Sequence, residues 1–204
     1  MQNARNITMM GGKRLPYDAE VEYLEATGTQ YVNTGLTLEE LSLIEIDLQY
    51  TSTTAPDGTA MQNGAVHQIG SLYNHLVFTQ QDNSLQAMSG TGANFFRANT
   101  GRLDRHIVKF NIATGVFSFD STTRSFSFNN NFNNITFCLF ARNLDGTIQH
   151  YCREKIYGAR FVCNDGTEHL LKPVRLNNTG YLCDTATAQL LGTGAFIIGP
   201  DKNA

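Results

Sequence analysis

The chain has 204 residues, of which 41% are hydrophobic and 16% charged, with a formal net charge of −3. That length suits one domain, and low charge combined with 13 Phe and 8 Tyr excludes a disordered polyelectrolyte. No basic run exceeds Lys13-Arg14, so nucleic acid finds no basic footprint, and no apolar run approaches the roughly 20 residues of a membrane span.

Residues 1–18 lack periodicity, contain Gly11-Gly12 and Pro16, and read as an N-terminal arm or connector suited to docking on a neighbouring chain. They hold no apolar core of the length a signal peptide needs. Residues 19–204 read as one domain of short strands and turns. The clearest strand lies between Leu43 and Tyr50, where Ile44, Ile46, Leu48 and Tyr50 alternate with Glu45, Asp47 and Gln49. A period of two puts one set on a core and the other on an outer face.

Segments 52–68, 71–84 and 90–102 are rich in Asn, Gln, Tyr, His and Arg and read as loops. His67 and His75 bracket a turn at Gly70-Ser71 and lack Cys or carboxylate neighbours that would complete a metal site. Val108, Phe110 and Ile112 then alternate with Lys109 and Asn111, and Ala113-Thr114-Gly115 turns the chain into Phe117 and Phe119. Ser125 to Phe128 extends that pattern. Thr136 to Phe140 is apolar on both faces and reads as a central strand. Asp145-Gly146 and Asp165-Gly166 each separate two strand-like runs, a strong hairpin signal. Cys138, Cys152, Cys163 and Cys183 form no CxxC pair and read as free, buried thiols, since disulfides would require an oxidising compartment. The whole predicts an all-β fold, a two-sheet antiparallel sandwich or barrel.

Two stretches carry a resemblance. Glu22-Tyr23-Leu24-Glu25-Ala26-Thr27-Gly28-Thr29-Gln30-Tyr31-Val32-Asn33-Thr34-Gly35 resembles the opening strand pair of LamG-like, concanavalin A-like modules, frequent in bacteriophage structural proteins and in proteins of gut Bacteroidetes. Lys155-Ile156-Tyr157, Asn164 to Thr167, Leu171 to Arg175, Gly180 to Asp184 and Gly192 to Phe196 resemble the closing pattern of the same modules. The resemblance covers residues 20–198, and Asn177-Asn178-Thr179 departs from it. It implies a jelly-roll sandwich. In physical terms Gly28, Gly35, Gly192 and Gly194 supply positive φ or close backbone approach at strand ends, and Tyr23, Tyr31, Tyr157 and Tyr181 pack with a polar tip toward a buried backbone group. The motifs record how first and last strands close the sandwich.

The resemblance further implies a non-enzymatic phage virion module, a capsid or tail decoration or fibre protein, made in the host cytosol. Its partners would be other virion proteins, its own copies or host-surface glycans. The alternatives are a bacterial cell-surface or secreted glycan-binding domain and a degenerate glycoside hydrolase. For glycans, Tyr73, His75, Phe95, Phe96 and Arg97 offer aromatic platforms and planar polar groups, as does the loop 141–151, although the chain has no Trp. For hydrolysis, Glu45 and Asp47 fit the first two places of the Glu-x-Asp-x-Glu strand of retaining glycosidases. The third is Gln49, or Tyr50 if a bulge intervenes, and neither is a carboxylic acid. No cofactor is expected beyond the calcium such modules sometimes hold at the rim, for which loop oxygens such as Asp57, Asn63, Asp82, Asn143 and Asp145 are available, chiefly Asp57 and Asp145. Common phosphate, dinucleotide, acyl-transfer and zinc-hydrolase motifs are absent.

Overall fold

A computed structural model describes residues 9–10, 13–69, 72–81, 84–90, 94–98, 103–125 and 132–202. In chain order, β1 (Met9–Met10), β2 (Lys13–Arg14) and β3 (Ala19–Glu20) lead into β4 (Leu24–Thr27), β5 (Val32–Thr37) and β6 (Leu41–Tyr50). A meander follows, β7 (Met61–Ile69), β8 (Leu72–Gln81), β9 (Ser84–Gly90) and β10 (Asn94–Ala98). Next come β11 (Arg105–Asn111), β12 (Val116–Phe119), β13 (Thr122–Ser125), β14 (Thr136–Leu139), β15 (Arg142–Leu144) and β16 (Thr147–Gln149). β17 (Arg153–Cys163), β18 (Glu168–Leu176), β19 (Thr179–Asp184), β20 (Leu190–Leu191) and β21 (Ile197–Ile198) complete the described strands.

Two sheets pack face to face. The larger runs β13-β12-β11-β6-β17-β18-β19-β20, with β4 and β21 continuing from β17 and β3 beside β18. The smaller runs β10-β9-β8-β7-β14-β5, and the β15–β16 hairpin shares the β7 edge with β14. Alternation in β6 is realised as read. Ile44, Ile46, Leu48 and Tyr50 are buried between the sheets, while Glu45, Asp47 and Gln49 face outward. A file of rings crosses the gap: Phe110 stacks on Phe117 at 4.0 Å, and edge contacts run from Phe117 to Phe78, Phe78 to Phe137 and Phe137 to Phe161. Phe78 and Phe137 belong to the smaller sheet and the other three to the larger, so this file ties the two layers together.

The turns follow their residues. Asp145-Gly146 and Asn177-Asn178 each join adjacent strands with positive φ at both central positions, the geometry that matches hairpin twist. The first and last strands close the sandwich as the motifs suggest, since β21 pairs β4 and Tyr31 bridges Thr193. Gly28, Gly35, Gly192 and Gly194 all have positive φ. At Gly28 a Cβ would overlap the Pro56 ring. Tyr157 departs from expectation. It is the extra residue of a bulge opposite β6, which turns it outward, and its hydroxyl donates to Gln49 Oε1 at 2.8 Å and not to a backbone group.

Two further readings change. Much of 52–68, 71–84 and 90–102, read as loop, forms β7 to β10. Their Asn, Gln and Gly content mimics turns, yet Met61, Ala65, Leu76 and Phe78 supply an inward row. The end of the N-terminal arm is docked: Tyr17 packs with Val174 and Cys183, and the Asp18 N–H donates to Arg175 O. The extension from Phe126 to Phe128 lies outside the described residues. All four cysteines are free.

Candidate functional site

The outward carboxylates of β6 are held in ion pairs. Glu45 meets Lys109 Nζ at 2.7 Å from β11, and Arg105 grips Asp47 with two bonds of 2.7 Å. Gln49 occupies the acid's place in the hydrolase pattern, and its amide is taken up by the Tyr157 hydroxyl and the Leu103 carbonyl. Arg105 also lies over the Tyr157 ring, and Lys155 over Tyr23. This face is a lattice of paired charges and rings.

The glycan candidates do not converge. Tyr73, 41% exposed, pairs with Gln68 at one end of β8, whereas Phe95 aligns through Met88 with Val77, ~13 Å farther along the strand. The side chains of His75, Phe95, Phe96 and Arg97 lie outside the described residues. The calcium candidates are separate from one another. Asp57 caps its own turn through Thr59, while the Asp145 carboxylate accepts from Gln68 N–H at 2.9 Å and meets His67 Nδ1 at 2.7 Å. Burial opposes ionisation of Asp145, but His67 and the Gln68 N–H together hold its carboxyl below the usual range. Asn63 is no loop oxygen, since it sits in β7 fully buried, and Asp82 lies outside the described residues. Among the described residues no group of three or more His, Cys, Asp or Glu is arranged to hold a metal. Two other histidines also have aspartate partners, His106 with Asp120 and His169 with Asp184. These pairs join residues 14 and 15 positions apart, beyond any local motif.

Two hollows open among the described residues. One, of about 530 Å³, is lined by Glu39, Glu40, Cys163, Asp165 and His169 together with Leu36 and smaller groups, and is acidic. The other, of about 300 Å³, lies between the start of β5, the start of β14 and the β15–β16 hairpin. Tyr31, Asn33, Asn134, Thr136, Asn143 and Ile148 line it, and no charged side chain does.

Each wall of the second hollow is built by local chemistry. Asn33 Oδ1 accepts from Gly35 N–H, which turns the rest of its amide outward. Asn133 and Asn134 both adopt left-handed backbone, a conformation Asn tolerates, and so project the 133–134 turn at the rim. Buried Asn143 donates to Thr136 O and Oγ1 and accepts from Gly146 N–H, fixing the hairpin to β14. Tyr31 is braced edge-on by Tyr151. Sequence reasoning had Asn143 and the 141–151 segment in view, but Tyr31, Asn33 and Asn134 come from distant positions that only the pairing of β5 with β14 brings together. Neither the protein-family models nor the curated proteins compared with this chain give a match.

Proposed function

We propose that the chain is a non-enzymatic glycan-binding module whose ligand occupies the hollow between β5, β14 and the β15–β16 hairpin. The observation that carries the reading is the lining itself, a tyrosine ring and four amide or hydroxyl side chains with no charge among them. Planar amides match vicinal hydroxyls, and a ring covers an apolar sugar face. Glu45 and Asp47 have no catalytic part in this reading, because both are spent on cations and no acid follows them. The motif resemblance supports placement in a phage virion, as a decoration or fibre protein contacting virion partners or its own copies, with a bacterial surface domain as the alternative setting.

A glycan array followed by titration of the hits tests the site. Loss of two hydrogen bonds at about 1 kcal/mol each in the double variant Asn33→Ala/Asn134→Ala weakens binding at least about tenfold. An array without hits, or affinity untouched by the double variant, overturns it. For the setting, mass spectrometry of purified virions is expected to find the chain at high copy, and its detection at a bacterial surface alone would move it there.

A further inference from the structure

Among the described residues, one carboxyl is fully buried between the sheets. Glu154, at the start of β17, points inward and is 0% exposed. Its Oε2 accepts from Asn63 Nδ2 at 2.9 Å, while Oε1 has no hydrogen-bond partner. Around it stand Tyr50 from β6, paired directly opposite, the Cys152 thiol two residues earlier, and Ala26 from β4. No described Lys, Arg or His pairs with it, and its flanking side chains Arg153 and Lys155 alternate to the other face.

Asn63 does more than satisfy this carboxyl. Its Oδ1 accepts from the Phe140 N–H at 2.5 Å, and Phe140 is held at φ 62. A left-handed phenylalanine is costly, roughly 1–2 kcal/mol, and persists only where surroundings over-determine it. Phe140 O accepts from Cys152 N–H, and the neighbouring Gln62 and Gly64 N–H groups donate to His150 O and Ala141 O. One amide thus links the buried acid to the strained turn from which the β15–β16 hairpin springs.

We propose that Glu154 is a pH-operated latch: while neutral it lets the packing around Asn63 and Phe140 stay closed, and on ionisation its need for water opens the segment 140–152 away from β7. A carboxylate formed in this space has only the Asn63 amide, the Cys152 thiol and the Phe140 N–H as donors and no counter-ion among the described residues, so the protein relieves it by admitting water. Burial, the dominant influence, outweighs the Asn63, Cys152 and Phe140 donors and pushes the Glu154 carboxyl up to about 8. Tyr50 and Cys152 are both raised well above their ordinary values by the same burial, so Glu154 ionises first. The sign follows: stability is full below the carboxyl's ordinary value and is lost as pH rises through about 8. The latch stands whatever the neighbouring hollow binds.

Alkylation of Cys152 relative to buried Cys138, followed between about pH 6 and about pH 10, reads the release. The ratio removes the rise in thiolate that both cysteines share, and the charge gained by Glu154 by itself holds the Cys152 thiol back, so a climb reads opening. In the wild type it is expected to climb at least about fivefold, and in Glu154→Gln, permanently neutral, to stay flat. An equal climb in both proteins, or none in the wild type, overturns the proposal. If Glu154→Gln does not fold, the infrared carbonyl band of a protonated carboxyl in the wild type decides. The band must be present in the folded protein at neutral pH and vanish on the alkaline side; its absence at neutral pH overturns the latch.

Discussion

Two groups of side chains share the space between the sheets and answer to different physics. Along β6, Ile44 marks the aromatic end, opposite Phe110 and Phe161, and Tyr50 the polar end, opposite Glu154. Phe110, Phe117, Phe137 and Phe161 are no more exposed than Asn63, Cys152 and Glu154, all at 0%. Equal burial therefore hides unequal roles. Rings contribute by area and shape, a contribution blind to pH. The polar group contributes by mutual satisfaction and holds a strained backbone, so one proton changes it.

The comparison breaks first at the aromatic end. Phe137 touches Phe78 in its own sheet and Phe161 in the other, so Phe137→Ala opens a cavity between layers and costs about 3–5 kcal/mol by chemical denaturation. That loss is expected to be the same at pH 6 and pH 9 (to within about 0.5 kcal/mol), because its ring partners Phe78 and Phe161 do not titrate. At the polar end, Asn63→Ala leaves the Phe140 N–H without its acceptor and Glu154 Oε2 without its amide donor, and costs about 2–3 kcal/mol at neutral pH. Asn63 is the foremost of the donors that favour the charged form of Glu154, so its removal moves the alkaline loss of stability to higher pH. A shift to lower pH would mean that the amide donates to something else.

How much of this was readable in the chain divides along the same line. The aromatic end was legible because alternation is local: Ile44 to Tyr50 and Val108 to Phe119 declare their inward faces within a few residues. The Asp-Gly hairpins were legible for the same reason, and the glycines of the opening and closing motifs for their backbone needs. The smaller sheet was not. Its strands β7 to β10 carry Asn, Gln, Gly and Ser at positions where pairing, and not propensity, makes the strand. The hollow was half legible, since Asn143 lies in a recognisable turn but Tyr31 and Asn33 join it only through register. Glu154 reads as an ordinary surface residue between Arg153 and Lys155. Its inward aim follows from the frame set by Ile156 on β17, two positions on, which counting backwards from Ile156 could have exposed.

On the acid side the comparison sharpens at the rim. Asp184 accepts from Thr187 Oγ1 and the Ala186 N–H and meets His169 Nδ1 at 2.9 Å. Burial opposes its charge, but these contacts outweigh it and hold the carboxyl below its ordinary value. A depressed carboxyl adds stability above its unfolded value and loses it as pH falls through the folded one. Asp184→Asn therefore costs about 1–3 kcal/mol near neutrality, and the difference from wild type shrinks under acid. Acid thus attacks the sandwich at its rim and base at its centre.

The smallest effect belongs to the outer face of β6. Asp47 and Arg105 make a well-formed bidentate pair, yet the arginine is about half exposed, at 53%. Water already solvates both partners, and holding them together costs side-chain entropy, so Asp47→Asn should lower stability by at most about 0.5 kcal/mol. Raising salt to about 1 M, where screening acts within about 3 Å, should erase even that. Glu45→Ala should behave alike and leave glycan binding unchanged, because the hollow is lined by the smaller sheet's β5, β14 and β15–β16 hairpin and Glu45 faces outward from the larger one. A loss of more than about 2 kcal/mol, or of turnover on a glucan panel, would instead mean that these carboxylates meet something besides Lys109 and Arg105, and the paired lattice would have to be reread as a site.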